Sequence, residues 1–162
     1  MTCKIIDKFL SQKEFEPLER YMMGYYFPWF YMDRESYETE TDTFQFQHTF
    51  YRTGDKPSEY YELVTPILRK LNVEEKNVHR IKAILTPKTS EHRFSGYHID
   101  YKDMTTVAFY VNTNNGYTEF QKGAKVKSVA NRAAIFDSNL VHGGHTATDQ
   151  KTRVMINFNY EI

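Results

Sequence analysis

The sequence predicts a mainly β fold, a jelly roll or sandwich backed by N-terminal helices. Helical periodicity is confined to the stretch before residue 80. From Arg80 onward, short alternating segments are separated by clusters of Gly, Asn, Asp and Pro, the punctuation of strands and turns. With 162 residues, 40% hydrophobic and 16% aromatic, the chain can bury one real core, so residues 1–162 are expected to form a single domain. Within it, 1–79 would supply helical support and strands, and 80–162 the barrel.

The first helix is expected after Ser11, which stands three residues before Glu14 in a capping-box pattern. Phe15, Leu18, Tyr21 and Met22 then recur at helical spacing, giving a face to pack on a sheet. Phe27-Pro28-Trp29-Phe30-Tyr31 breaks that helix. Asp33 to Asp42 carries five acidic residues against Arg34 without apolar periodicity and reads as a solvated loop, a candidate lid. Phe44, Phe46, His48 and Phe50 alternate with Gln45, Gln47 and Thr49, predicting a strand with one buried face. Ser58 to Leu71 reads as a second helix capped by Ser58, with Leu63, Ile67, Leu68 and Leu71 as its stripe and Pro66 as a kink or boundary. Strands are then predicted at Ile81 to Leu85, Thr105 to Val111, Lys125 to Val129, Arg132 to Phe136 and Arg153 to Tyr160.

Composition narrows the function classes. The 21 basic and 21 acidic residues cancel, so no global basic field points to nucleic acid. No apolar run approaches the ~20 residues that span a bilayer, and the N-terminus lacks a signal-peptide core. A single cysteine, Cys3, allows no internal disulfide and makes thiol-ligated zinc implausible. A cytoplasmic protein with no membrane partner is expected.

His98-Ile99-Asp100, followed by His142 and then Arg153, carries the chemistry. Two imidazoles and one carboxylate make a facial triad, which leaves positions open on non-haem Fe(II). Side chains two apart on a strand share a face, so His98 and Asp100 point the same way. The same parity puts Thr106, Ala108, Tyr110 and Asn112 on one face of their strand and Arg153, Met155, Asn157 and Asn159 on one face of theirs. A 2-oxo diacid would chelate the iron through its keto and first carboxylate oxygens, leaving its far carboxylate in need of a fixed cation. Arg153, a planar bidentate fork, suits that role. Formal charges then balance: two on iron and one on Arg153 against one on Asp100 and two on the diacid.

These residues carry a resemblance. Gly96-Tyr97-His98-Ile99-Asp100, Tyr110-Val111-Asn112, Asn115-Gly116-Tyr117-Thr118-Glu119-Phe120, Phe136-Asp137-Ser138, His142-Gly143-Gly144 and Arg153 follow in the order seen in the prolyl 4-hydroxylase-like branch of the Fe(II)/2-oxoglutarate-dependent dioxygenases. The segment Phe27-Pro28-Trp29 also resembles compact members from phages and marine bacteria. The resemblance implies a double-stranded β-helix, a cupin-like barrel, with Fe(II), 2-oxoglutarate and O2 as cofactor and co-substrates. It implies His98, Asp100 and His142 as metal ligands, and Tyr110 beside Arg153 on the distal carboxylate. Asp100 favours hydroxylation over the halogenase variant, which lacks that carboxylate. The Asn115-Gly116 turn departs from the Gly-Gly of many relatives; because Asn tolerates the left-handed conformation nearly as Gly does, little effect is expected.

Bland readings stand beside these. His98 and Asp100 could be a surface pair, and Arg153 could merely begin a strand. His145 competes with His142 as third ligand, although His142 follows Phe136-Asp137-Ser138 in the family register. His48, His79 and His92 show no ligand spacing. Trp29, Tyr31 and Tyr97 would line a substrate entrance or join the core. Three function classes follow. The first is an oxygenase acting on peptidyl proline or another protein side chain, favoured by the branch and by the acidic loop, which would attract a basic peptide. The second is an oxygenase acting on a free amino acid, small metabolite or nucleobase, the last disfavoured by the neutral charge. The third is a non-redox cupin-type metal protein.

Overall fold

The computed structural model describes residues 3–33 and 44–161. The chain runs β1 (Lys4–Ile6), α1 (Gln12–Met22), β2 (Phe30–Met32), β3 (Gln45–Arg52), α2 (Thr65–Leu71), β4 (Val78–Pro87), β5 (Thr105–Tyr110), β6 (Tyr117–Phe120), β7 (Lys125–Lys127), β8 (Arg132–Asp137), β9 (His142–His145) and β10 (Thr152–Tyr160). An antiparallel sheet of order β1-β8-β5-β10-β4-β3-β2 faces a smaller one of order β7-β6-β9. Residues 94–98 extend the smaller sheet along β9 through bridges Phe94 to His145 and His98 to His142. The result is the double-stranded β-helix, a jelly-roll barrel with helices on one side.

Period-two patterning decides which side of the large sheet is dry. Val107 and Phe109 of β5 and Val154, Ile156 and Phe158 of β10 face the helices and are fully buried with Phe15, Leu18 and Met22 of α1. Phe109 sits edge-on to both Phe9 and Phe15, with centroids 6.1 Å away in each case. Burying one such side chain contributes ~1.5–3 kcal/mol. The opposite residues, Ala108, Tyr110 and Met155, turn between the sheets with Phe120, Phe136 and Val126. The alternation legible in the sequence is thus the division between helix-backed core and barrel interior.

Helix α1 begins as its cap predicts: the Glu14 carboxylate accepts the Ser11 backbone N–H at 3.2 Å and its hydroxyl at 2.7 Å. The second helix is shorter than the expected Ser58 to Leu71. A 3₁₀ turn at Tyr61–Leu63 precedes α2, and Pro66 lies in the first turn of α2, where a missing N–H costs nothing. Asn72 ends α2 in the left-handed conformation at φ 57°. Ser58 instead accepts the Tyr60 N–H at 3.1 Å and bonds His48 Nε2 at 2.9 Å. In β3, His48 and Phe50 join the core, but Phe44 is exposed and Gln45 is buried, so both faces of this strand are partly covered. The reason is tertiary: the face expected to meet water turns Gln45 into the barrel cavity. Of the acidic Asp33 to Asp42 loop, all but Asp33 lies outside the described residues. No helix among the described residues is long and apolar enough to cross a membrane.

Candidate metal centre

The mouth of the barrel brings His98, Asp100 and His142 together. One ligand atom from each lies within 4.8 Å of the others. His98 ends the stretch that pairs with β9, and His142 begins β9. Reciprocal backbone bonds, His98 N to His142 O at 2.9 Å and His142 N to His98 O at 3.0 Å, fix the two rings side by side at 4.8 Å. Asp100 follows in a bend rather than within a regular strand, yet its carboxylate still meets the site, with Oδ2 3.9 Å from His142 Nε2.

Both imidazoles are held in one tautomer. His142 Nδ1 donates to Leu140 O at 2.8 Å and His98 Nδ1 to Gly96 O at 3.3 Å, which leaves each Nε2 with its lone pair. Burial pushes the His142 pKa down, against the pull of Asp100, and keeps the ring neutral as a metal ligand requires. Burial would raise the Asp100 pKa, but His142, Arg80 and the Asn157 hydrogen bond outweigh it and hold the carboxyl below its ordinary range. Asn157 Nδ2 donates to Oδ2 at 2.8 Å, with Asn159 Nδ2 at 3.3 Å and Thr106 Oγ1 at 3.5 Å, while Arg80 Nη2 reaches Oδ1 at 3.3 Å. Two imidazoles and an ionised carboxylate on one wall of a cavity fit a divalent iron.

Arg153 is buried in the same cavity. Its Nε donates to Ser128 Oγ at 2.9 Å and its Nη2 to Thr118 Oγ1 at 3.1 Å. Tyr110 lies one hydrogen bond behind: its hydroxyl donates to the same Thr118 Oγ1 at 2.8 Å. Burial raises the Tyr110 pKa and keeps the phenol protonated, a donor. Thr118, having accepted twice, has its own proton left to give into the cavity. Gly116 is required for close approach, since a Cβ there would lie 2.7 Å from Arg153 Cδ and 2.9 Å from His145 O. Neither Asn115 nor Gly116 is left-handed. Asn115 instead clasps Thr148, accepting its N–H at 2.8 Å and donating to its hydroxyl at 2.6 Å.

His145 lies apart from the triad. Its ring is stacked between Tyr117 (4.1 Å) and Phe94 (4.7 Å) and bonded to Glu119 at 2.8 Å. Asn112 clasps β10, accepting Val154 N–H at 2.9 Å and donating to Thr152 O at 2.8 Å. Trp29 packs on the core, while Tyr31 and Tyr97 are exposed; none of the three lines the cavity. His48 is buried between Pro28 and Ser58, His92 Nδ1 donates to Thr146 O at 2.7 Å, and His79 lies against Tyr101. Sequence reasoning missed Arg80, Lys82, Thr118 and Ser128. Arg80 and Lys82 alternate with Ile81 and Ala83, so charge at every second position of an otherwise apolar strand was the available signal.

The cavity is open to solvent, and together with its mouth it spans about 730 Å³. Among solved structures, an oxidoreductase of the 2OG-Fe(II) oxygenase family from Burkholderia pseudomallei superposes with a TM-score of 0.68 at 11% identity, covering 98% of this chain and 85% of that one. The chain shares that fold. A prolyl-4-hydroxylase from Pseudomonas putida gives 0.62 at 15% identity, over 99% and 92% of the two chains. A prolyl hydroxylase from Trichoplax adhaerens, solved with a hypoxia inducible factor oxygen degradation domain peptide fragment, gives 0.62 at 12% identity, over 98% and 83%. At these identities the likeness is one of fold. No protein-family model and no curated protein matches the chain.

Proposed function

We propose that this protein is an Fe(II)- and 2-oxoglutarate-dependent oxygenase that hydroxylates a C–H bond. The observation that carries the reading is one cavity lined both by the converging donors of His98, Asp100 and His142 and by the buried guanidinium of Arg153. Iron held by the three side chains would supply the coupled reduction of O2 and decarboxylation of the 2-oxo acid. Overall, substrate C–H, O2 and 2-oxoglutarate become C–OH, succinate and CO2, one oxygen atom entering each organic product.

The chain's own residues prepare that reaction. The carbonyls of Leu140 and Gly96 aim the imidazole lone pairs, and the Asn157, Asn159, Thr106 and Arg80 donors orient an Asp100 kept ionised. Arg153 and the Thr118 hydroxyl are placed to hold the far carboxylate of the diacid, with Tyr110 and Ser128 fixing both. Ala108, Phe136 and Met155 keep that end of the cavity dry, which strengthens each of these contacts. The peptidyl-proline expectation draws support from the branch resemblance and from two prolyl hydroxylases among the fold neighbours.

Anaerobic addition of Fe(II) and then 2-oxoglutarate to the apo-protein tests the reading. A weak visible charge-transfer band is expected on chelation, lost in His98→Ala and His142→Ala and shifted to higher 2-oxoglutarate concentration in Arg153→Ala. Metal binding without the band would move the protein to the non-redox cupin class. Retention of iron by His142→Ala but not by His145→Ala would overturn the ligand assignment.

A further inference from the structure

Beside the triad, the wall formed by β4 and β10 carries polar groups that the metal and the diacid leave unused. Lys82 lines the cavity, in register with Asn157 of β10 and Thr49 of β3. Among the described residues its ammonium has neither a hydrogen-bond nor an ion-pair partner. Two neighbours on the same wall are equally unsatisfied: Arg80 Nε and Asn157 Oδ1 are buried with no hydrogen-bond partner. A buried donor or acceptor left unpaired costs ~1–3 kcal/mol, so Asn157, which lines the cavity beside the unpaired Lys82, marks a place where something binds. Burial, then the charge of Arg80, brings the Lys82 ammonium down from 10.5 to about 8, with Arg52 adding to the cationic side and Asp100 opposing.

The charges identify what is missing. Iron, Arg153, Asp100 and a 2-oxo diacid sum to zero, which leaves Lys82 as the surplus cation of the cavity lining, with Arg80 adding a second behind Asp100. A low-dielectric site does not keep such a surplus without an anion. Arg80 is already shared between Asp100 and Asn159, at 3.3 and 3.0 Å, so the open position is at Lys82.

We propose that the β4–β10 wall seats the substrate to be oxidised and that this substrate is a small organic acid, its carboxylate held by Lys82 and one of its N–H or O–H donors by Asn157 Oδ1. The proposal rests on the oxygenase reading. It separates this chain from a reader of peptidyl side chains, because an internal peptide residue brings an amide where Lys82 calls for a carboxylate. A free amino acid or hydroxy acid meets both unsatisfied groups at once.

The test uses the Fe(II)-loaded protein with 2-oxoglutarate and measures succinate release. The probes are the common free L-amino acids and their 2-hydroxy counterparts, the matching carboxamides, and N-acetylated proline-containing peptides ending in carboxamides. At least one free acid is expected to stimulate turnover, with its carboxamide at least tenfold weaker in kcat/KM. Lys82→Met should lose at least tenfold in kcat/KM for that acid, and Lys82→Arg should recover part of it. Thermal melts of both variants report folding. Stimulation by peptides or carboxamides alone, no response to any acid, or an equal response in Lys82→Met would overturn the proposal. The charge-transfer band is recorded first in the same samples: its absence would mean that the oxygenase reading has failed, whereas its presence without acid-dependent turnover would mean that the carboxylate subsite has.

Discussion

Replacing Arg80 by methionine removes the cation behind Asp100 while keeping most of the side-chain volume. In the wild type, Arg80 Nη2 stands 3.3 Å from Asp100 Oδ1, with the two side chains 13% and 7% exposed. At an effective dielectric of about 20 that separation corresponds to about 5 kcal/mol of attraction, much of it spent on desolvating both ions. Stranding one partner of a buried pair costs ~3–5 kcal/mol. Three donors, Asn157, Asn159 and Thr106, still hold the carboxylate, which places the expected loss near ~3 kcal/mol. For a chain of this size that is a fall of roughly 6–12 °C in the Tm of the apo-protein by calorimetry at neutral pH. Mn(II) or Fe(II) should recover part of the deficit by supplying a replacement positive charge. In an Asp100→Asn background the same substitution should cost far less, since no charge is stranded. The pH dependence has a definite sign. The folded Asp100 pKa lies below its ordinary value, so its contribution is complete above the ordinary carboxyl range and is lost as pH falls through the folded value. Arg80→Met should therefore shrink the stability that Asp100 loses in acid, because its folded pKa moves back toward the ordinary value. An apo Tm within 1 °C of wild type, or an equal loss with Asp100→Asn, would refute the account.

Other outcomes are expected from single positions. Phe109→Ala should cost ~3–5 kcal/mol in denaturant melts, because the ring is fully buried between Phe9 and Phe15. Asn131, left-handed at φ 60°, accepts Leu10 N–H at 2.8 Å and donates to Leu10 O at 2.9 Å; Asn131→Ala should be less stable than Asn131→Gly by ~1 kcal/mol, since only Ala adds backbone strain to the lost bonds. Gly116→Ala should displace Arg153 and raise the 2-oxoglutarate Kd about tenfold or more in charge-transfer titrations, while Fe(II) binding is retained. Lys82→Met should raise the apo Tm at pH 7, by at most about 3 kcal/mol of stability for an ammonium brought from 10.5 to about 8. That gain should shrink as pH rises from 8 toward 10.5, where the wild-type folded state sheds the proton before the unfolded chain does.

The strand alternation and the metal pattern were legible in one dimension. Val154, Ile156 and Phe158 against Arg153, Met155 and Asn157 announced a strand with a dry back and a polar front, since side-chain direction follows from backbone geometry. The spacing of His98 and Asp100 and the order of the later residues named a candidate site before any coordinates. Local chemistry also placed the start of α1 at Ser11. Where local signals conflicted with packing, packing prevailed. Pro66 looked like a break in one long helix because sequence does not show that a 3₁₀ turn precedes it. Gln45 looked solvent-facing because a period of two says which residues share a face, not what covers that face.

What the sequence by itself determined was therefore the inventory: two helices, the alternating strands, and a set of imidazoles, a carboxylate and a guanidinium of the right kinds. Tertiary structure decided who meets whom. Arg80 reaches Asp100 across 20 positions, Arg153 reaches Thr118 across 35, and Asn157 reaches Asp100 across 57. Such contacts depend on strand order and register, which arise when the two sheets close over one another, and no local propensity encodes them.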